Sequence, residues 1–248
     1  MSDPASDDRL RADVRSAVKH YWKTRSQQAK RQASENGAKD AGLRTAVTGG
    51  AQLDGFVKLI RDLLVQAGLD RAHVFLGRKD TVLPGFYRPS KAWDVVAVEN
   101  GRLVACIEVK SHAGPSYGNN FNNRVEEALG NATDFWKAYE EGSFAGLDRP
   151  FLGYIMLLED DVRSNAPVGV DEPHFSVREE FRGASYARRY QLLCEKLLRE
   201  RLYDSAAFLM AAREAAKTGE FREPSADLAF KVFAANLMAR GYALANAR

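Results

Sequence analysis

Three residues in the stretch "WDVVAVENGRLVACIEVKS", spanning 93–111, have the types and spacing to do chemistry: Asp94, Glu108 and Lys110. Their neighbours are strand-forming Val, Ile, Leu and Ala, a setting in which ionised groups are expensive to desolvate. Magnesium takes hard oxygen ligands in an octahedral shell, keeps several waters, and commonly binds one or two carboxylates together with substrate phosphate oxygens. Asp94 and Glu108 offer the carboxylates, and the backbone carbonyl of Val109 is a further candidate ligand. In such a centre the metal stabilises charge on phosphoryl oxygens and acidifies water, while Lys110 positions the attacking water and meets developing charge. A structural reading stands beside this one, in which Glu108 and Lys110 lie on a solvated strand face or pair with each other.

The turn decides between them. Asn100-Gly101 is a strong hairpin signal, and strand side chains alternate between faces, so Glu108 and Lys110 share one. A two-residue loop pairs Glu99 with Arg102 and Asp94 with Ile107, which puts the acids on opposite faces unless a bulge or a strand divergence intervenes. A three-residue loop, Glu99-Asn100-Gly101 with Gly101 left-handed in a bulge, pairs Val98 with Arg102 and Asp94 with Cys106. A shared metal site favours this second register, with Gly101 at positive φ and Asp94 diagonal to Glu108.

The hairpin needs a sheet and helices to hold it. A first helix is expected over about Asp7 to Ala33, with Leu10, Val14, Ala17, Val18, Tyr21 and Trp22 on one face. Arg11, Arg15, Lys19 and Lys23 recur on another face, which serves either as a solvated helix surface or as a phosphate-contacting one. The polar segment "SENGAKDAGLRTAVTGG" separates it from a second helix over about Ala51 to Ala67. Gly49-Gly50 is no P-loop, because no Gly-Lys-Ser/Thr follows. On the second helix, Asp54 is either a further site acid or an ordinary exposed one.

A short strand "HVFLG" follows, then a long loop carrying Arg78, Lys79, Arg88 and Lys91, then the hairpin. The asparagines of "HAGPSYGNNFNN" are placed to cap a helix "RVEEALGNATDFWKAYEEG", with Asn122 or Asn123 as the cap. A buried strand is expected at Phe151 to Glu159 and a helix at Ser185 to Leu202; "SAAFLMAA" fits strand or helix, and "DLAFKVFAANLMARG" closes the chain as a helix. Helices, mixed strands and helices around one sheet make an α/β sandwich.

With 248 residues, 45% hydrophobic and 28% charged, the chain suits one large soluble domain. Its apolar runs are too short to span a bilayer, and the start lacks the apolar core of a secretory signal. Two cysteines, Cys106 and Cys194, make a disulfide framework unexpected and a reducing cytoplasm the natural compartment. The four histidines show no metal-binding spacing, and His112, near Lys110, reads as a bystander. The net charge of +3 is small, but from Arg9 to Arg44 ten basic residues face three acids, an excess that favours a polyanion.

Taken together in this order, "TGGAQLDGFVKLIRDLL", "YRPSKAWDVVAV", "ACIEVKS", "GNNFNNRVEEALGNATDFW" and "LGYIMLLEDD" resemble the XhoI-like type II restriction endonucleases of the PD-(D/E)xK superfamily, over most of the chain. The resemblance implies a restriction-endonuclease-like α/β core, a mixed sheet flanked by helices, with a basic helical N-terminal extension over 1–50 and a catalytic core over 51–248 in one domain. It implies a homodimeric, Mg2+-dependent enzyme acting on double-stranded DNA within the palindrome CTCGAG, after the first C, and a cognate DNA methyltransferase in the same system. By the same resemblance Asp94 and Glu108 are the metal-binding acids and Lys110 the catalytic lysine. Trp93 stands where the superfamily's name has proline, and Asp54 where the superfamily often has glutamate. "GNNFNNRVEEALG" acquires a role near the site: Asn123 and Arg124 as DNA contacts, Glu127 in support. A repair nuclease that recognises DNA structure, or an inactive DNA-binding protein, are the competing readings of the same fold.

Overall fold

The computed structural model describes residues 4–35, 51–146 and 148–245, with side chains described over 7–28 in the first of these segments. Residues 36–50, including Lys39, Arg44 and Gly49-Gly50, lie outside the described residues, as do the side chains of Lys30 and Arg31.

In chain order the elements are α1 (Pro4–Glu35), α2 (Asp54–Gln66), β1 (Val74–Leu76), β2 (Val82–Pro84), β3 (Ser90–Ala92), β4 (Val95–Glu99), β5 (Arg102–His112), α3 (Tyr117–Glu140), β6 (Phe151–Glu159), α4 (Val162–Asn165), α5 (Tyr186–Arg199), β7 (Ser205–Ala211), α6 (Ala215–Thr218) and α7 (Phe230–Ala245). The main sheet has five strands in the order β1-β4-β5-β6-β7. β1, β4 and β5 run antiparallel to their neighbours, whereas β5, β6 and β7 are parallel. Two crossovers of the same hand, stepping the same way across a sheet, fall on the same face. Accordingly α3 and α5 share one face.

Alternation then sorts the strand residues into two cores. Val95, Ala97, Ile107, Val109, Ala207 and Leu209 pack with Val14, Val18, Tyr21 and Trp22 of α1, Phe56, Ile60 and Leu64 of α2, and Phe233 and Leu237 of α7. Val96, Cys106, Tyr154, Met156 and Phe208 pack with Phe135 of α3 and Tyr190, Leu193 and Leu197 of α5. Each large side chain fully buried this way contributes roughly 1.5–3 kcal/mol, so both layers hold the sheet. α1 and α2 cross closely: a Cβ at Gly55 would sit 2.9 Å from the Ala17 backbone. Among the described residues no helix is long and apolar enough to cross a membrane.

The hairpin departs from the expected register. Asn100 (φ 51°) and Gly101 (φ 74°) are both left-handed, the conformation of a two-residue turn whose twist matches the flanking strands. Glu99 therefore pairs with Arg102 and Val98 with Leu103, after which the register shifts and Ala97 pairs with Ala105. Val104 is the extra residue, and it and Ala105 both join the α1 side of the sheet. The bulge thus lies inside the ladder rather than in the loop, because Asn, like Gly, tolerates the left-handed region. Val95 then faces Ile107, so Asp94 comes opposite Glu108 rather than diagonal to it.

Two further differences concern the loops. α3 starts at Tyr117, and the Asn122 and Asn123 expected to cap it lie inside it; Ser116 holds the cap position without a side-chain bond. Burial of Tyr117 and Phe121, one helical turn apart, against Tyr186 and Tyr190 outweighs the asparagines' preference for caps. The long loop before β4 contains the small two-stranded sheet β2–β3.

Candidate active site

Glu108 and Lys110 leave β5 on the α3/α5 face, and Asp94 meets them from just before β4. The Asp94 amide donates to the Ile107 carbonyl at 3.2 Å, and its Oδ2 accepts the Val109 amide at 2.7 Å. The side chain is thereby turned back over β5. Glu108 is 1% exposed. Its Oε1 pairs with the ammonium of Lys110, and its Oε2 lies 2.7 Å from the Nζ of Lys91.

The protonation balance follows from these neighbours. Burial alone would raise the Glu108 carboxyl, but the ammoniums of Lys110 and Lys91 hold it below its ordinary value. Asp94 is pushed up to about 6 by burial and by the charge of Glu108, against the opposing pull of the Val109 amide, Lys110 and Lys91. Burial lowers Lys110, and the charges of Glu108, Asp94 and Glu127 more than reverse it. Two carboxylates crowded in low dielectric, one of them reluctant to ionise, form a set that a hard divalent cation relieves. Among the described residues no third His, Cys, Asp or Glu completes a metal-binding group. That leaves two carboxylates, a number magnesium takes when water and phosphate oxygens complete its shell.

Sequence reasoning placed Lys91 in a loop and missed its position. It lies on β3, and the short hairpin β2–β3 swings it over Glu108. The buried Thr81 fixes that hairpin: its hydroxyl donates to the Trp93 carbonyl at 2.6 Å, and its own carbonyl accepts the Trp93 amide at 3.0 Å. Trp93 packs edge-on against Phe135 of α3, ring centroids 5.5 Å apart, and its own ring supports the Lys91 ammonium at 4.0 Å. At the hairpin's tip, Asp134 of α3 accepts the amides of Phe86 and Tyr87, both at 2.8 Å, and Arg88 Nε at 2.7 Å. The only signal in the sequence was the run Lys91-Ala92-Trp93-Asp94, whose alternation puts Lys91 and Trp93 on one side of an extended chain.

The other predicted residues divide. On α3, Arg124 pairs with Glu127, and the charge of Glu127 reaches Lys110, so this pair borders the site; Asn123 is exposed on the same helix. Asp54 is exposed in the first turn of α2, where an acid suits the helix dipole, and it does not join Asp94 and Glu108. The basic stripe lies on α1, in the layer across the sheet. There Arg15 pairs with Glu220 at 2.9 Å, Arg11 lies 5.0 Å from the Phe221 ring, and Lys19 is half-buried. His112 is buried at the end of β5, its Nδ1 2.7 Å from the Tyr190 hydroxyl and its Nε2 3.0 Å from the Ser116 carbonyl; it belongs to the aromatic core.

Known proteins resemble this chain over most of its length. Residues 31–223 match the family described as restriction endonuclease XhoI. The type II restriction enzyme BstVI of Geobacillus stearothermophilus is 48% identical over 205 residues, 81% of this chain and 91% of that protein. The type II restriction enzyme XhoI of Xanthomonas vasicola is 43% identical over 197 residues, 79% of this chain and 77% of that protein. AbrI of Azospirillum brasilense, also a type II restriction enzyme, is 44% identical over 162 residues, 65% of this chain and 72% of that protein. No solved structure gives a significant match.

Proposed function

The chain belongs to the XhoI restriction endonuclease family and is a type II site-specific deoxyribonuclease; from that premise we propose a Mg2+-dependent hydrolysis of double-stranded DNA centred on Asp94, Glu108 and Lys110. The observation that carries this assignment is the buried pair of opposed acids, each within reach of Lys110. Mg2+, held by the Asp94 and Glu108 carboxylates and the Val109 carbonyl, supplies charge stabilisation at the scissile phosphate and an acidified water. Lys110 orients the water that attacks phosphorus and meets the charge that grows on the phosphoryl oxygens. Burial and the charge of Glu108 push the Asp94 carboxyl up to about 6 in the metal-free protein, so near and below that pH a proton competes with the metal for it.

The family resemblance directs the site reading to CTCGAG, cut after the first C of each strand to leave 5′-TCGA ends. A two-fold palindrome matches a homodimer that presents one catalytic hairpin to each strand. Asn123 and Arg124 on α3 are the nearest assigned DNA contacts, with Glu127 holding Arg124. Arg11, Arg15 and Lys19 are assigned to phosphate contact beyond them, and Asp54 to an accessory role. The chain works as one domain in the cytoplasm, beside a DNA methyltransferase that protects host copies of the site.

Incubating the protein with a mixed-sequence plasmid and Mg2+, then sequencing the ends, tests this reading. Discrete fragments with 5′-TCGA ends and a two-chain protein–DNA complex are expected. Nicking that follows DNA structure, binding without cleavage, or cuts unrelated by a two-fold axis would overturn it.

A further inference from the structure

Glu108 carries more positive charge than one catalytic lysine accounts for. Its two oxygens are divided between two ammoniums, Lys110 on Oε1 and Lys91 on Oε2. The Lys91 side chain is only 13% exposed, and it comes from a different element, β3, whose hairpin is closed at its base by Thr81 and Trp93 and tied to α3 through Asp134. With Asp94, the cluster holds two acids and two lysines and is already neutral. A divalent cation between the acids therefore adds charge to a balanced site, and it needs a carboxylate oxygen that an ammonium now occupies.

We propose that Lys91 is a competitor for the metal built into the site: it holds Oε2 of Glu108 in the metal-free protein and gives that oxygen up when a divalent cation binds. The inference rests on the metal-dependent reading above. Lys91 is the ammonium equipped to withdraw, because two uncharged partners are already in place for it, the face of Trp93 at 4.0 Å and the Ala92 carbonyl at 3.1 Å. A ring face and a carbonyl can keep an ammonium without a carboxylate. Lys110, by contrast, is surrounded by acids, Glu108, Asp94 and Glu127, and stays. The competition weakens metal binding in the absence of DNA. A DNA phosphate offers the displaced ammonium a counter-charge, so metal and DNA each strengthen the binding of the other, as linkage requires.

Mn2+ serves as the probe, titrated without DNA into the full chain, into Lys91→Met, into Glu108→Gln and into Lys91→Met/Glu108→Gln, with free Mn2+ followed by electron paramagnetic resonance. Lys91→Met is expected to bind Mn2+ at least tenfold more tightly than the wild type, and the double variant is expected to lose that gain. General damage to the site would weaken binding, so the direction of change is diagnostic. Lys91→Gln, which keeps a donor toward Glu108 but no charge, should tighten binding as well, and it replaces Lys91→Met should that variant fold poorly. Equal or weaker Mn2+ affinity in the single variants, alongside wild-type binding that depends on Glu108, overturns the role of Lys91 and spares the metal reading. Absence of Glu108-dependent binding in every protein overturns both.

Discussion

Two buried glutamates on adjacent parallel strands are held in contrasting ways. Glu159 ends β6 at 3% exposed, and Glu108 lies within β5 at 1%. Glu159 accepts the Gly114 amide at 2.9 Å and the Nε and Nη2 of Arg213. Its donors are a fixed peptide and a planar fork, and they join the start of the α3 loop to the chain after β7. Glu108 instead accepts two flexible ammoniums and sits in the field of a second acid that burial already disfavours. Burial is common to both. What distinguishes the site is crowding: Asp94 and Glu108 face each other and share two ammoniums on flexible stems, whereas Glu159 has a guanidinium and a peptide amide to itself.

The largest expected effect tests the crowded side. Glu108→Gln keeps the shape but removes the charge, and plasmid cleavage should fall by at least 10²- to 10³-fold, the order seen when a group that stabilises the transition state is removed, with circular dichroism unchanged. Near-normal cleavage would end the comparison.

Asp94→Asn separates function from stability in one residue. The folded carboxyl titrates near 6, above its ordinary value of 3.8, so the folded state binds the proton more tightly than the unfolded chain does. Stability held while Asp94 is protonated is lost as pH rises from about 4 to about 6, by roughly 3 kcal/mol for a two-unit shift. The variant should therefore be inactive yet more stable than the wild type above pH 6, with the advantage fading toward pH 4. Urea unfolding at pH 7.5 and pH 4.5 checks both the sign and the window; a destabilised variant at pH 7.5 would mean that Asp94 is a brace like Glu159.

Glu159→Ala should show the reverse pattern. It strands the buried Gly114 amide, a loss of about 1–3 kcal/mol, while cleavage per folded molecule at moderate temperature stays close to wild type. A fall in the rate without a fall in the melting temperature would place Glu159 in the chemistry. The smallest effect belongs to the basic stripe, where Arg15 already has Glu220 as a partner. Neutralising Arg11, Arg15 and Lys19 together should flatten the dependence of DNA affinity on salt by about 0.9 in slope for each phosphate that the protein no longer neutralises. An unchanged slope leaves the stripe as a solvated face of α1.

The helices with strong apolar periodicity, the continuous strand β6 and the grouping of Asp94, Glu108 and Lys110 were legible in the residues. The means of grouping was not. Asn100 and Gly101 both turn left-handed, and the extra residue is Val104; the position of a bulge depends on how a strand meets the layers above and below it, which no local pattern encodes. Lys91 was overlooked for a related reason. β2 and β3 are three residues each with little apolar alternation, and they owe their place to Thr81 and Asp134, whose hydrogen bonds reach across 12 and up to 48 positions of chain. Similarly, the start of α3 followed the burial of Tyr117 and Phe121 rather than its asparagines.

Cys106 lies two positions before Glu108 on the same side of β5, free, buried and with its thiol pushed well above the ordinary range by burial and by the charge of Glu108. Cys194 on α5 is likewise free and buried, its thiol pushed up by burial to about 12. Only the thiolate attacks a disulfide or an alkylating reagent, so the closed enzyme should ignore both. The molecule therefore carries its own stopwatch two residues from Glu108: in a Cys194→Ser variant with a thiol dye in excess, the rate at which Cys106 is captured counts how often that part of β5 opens.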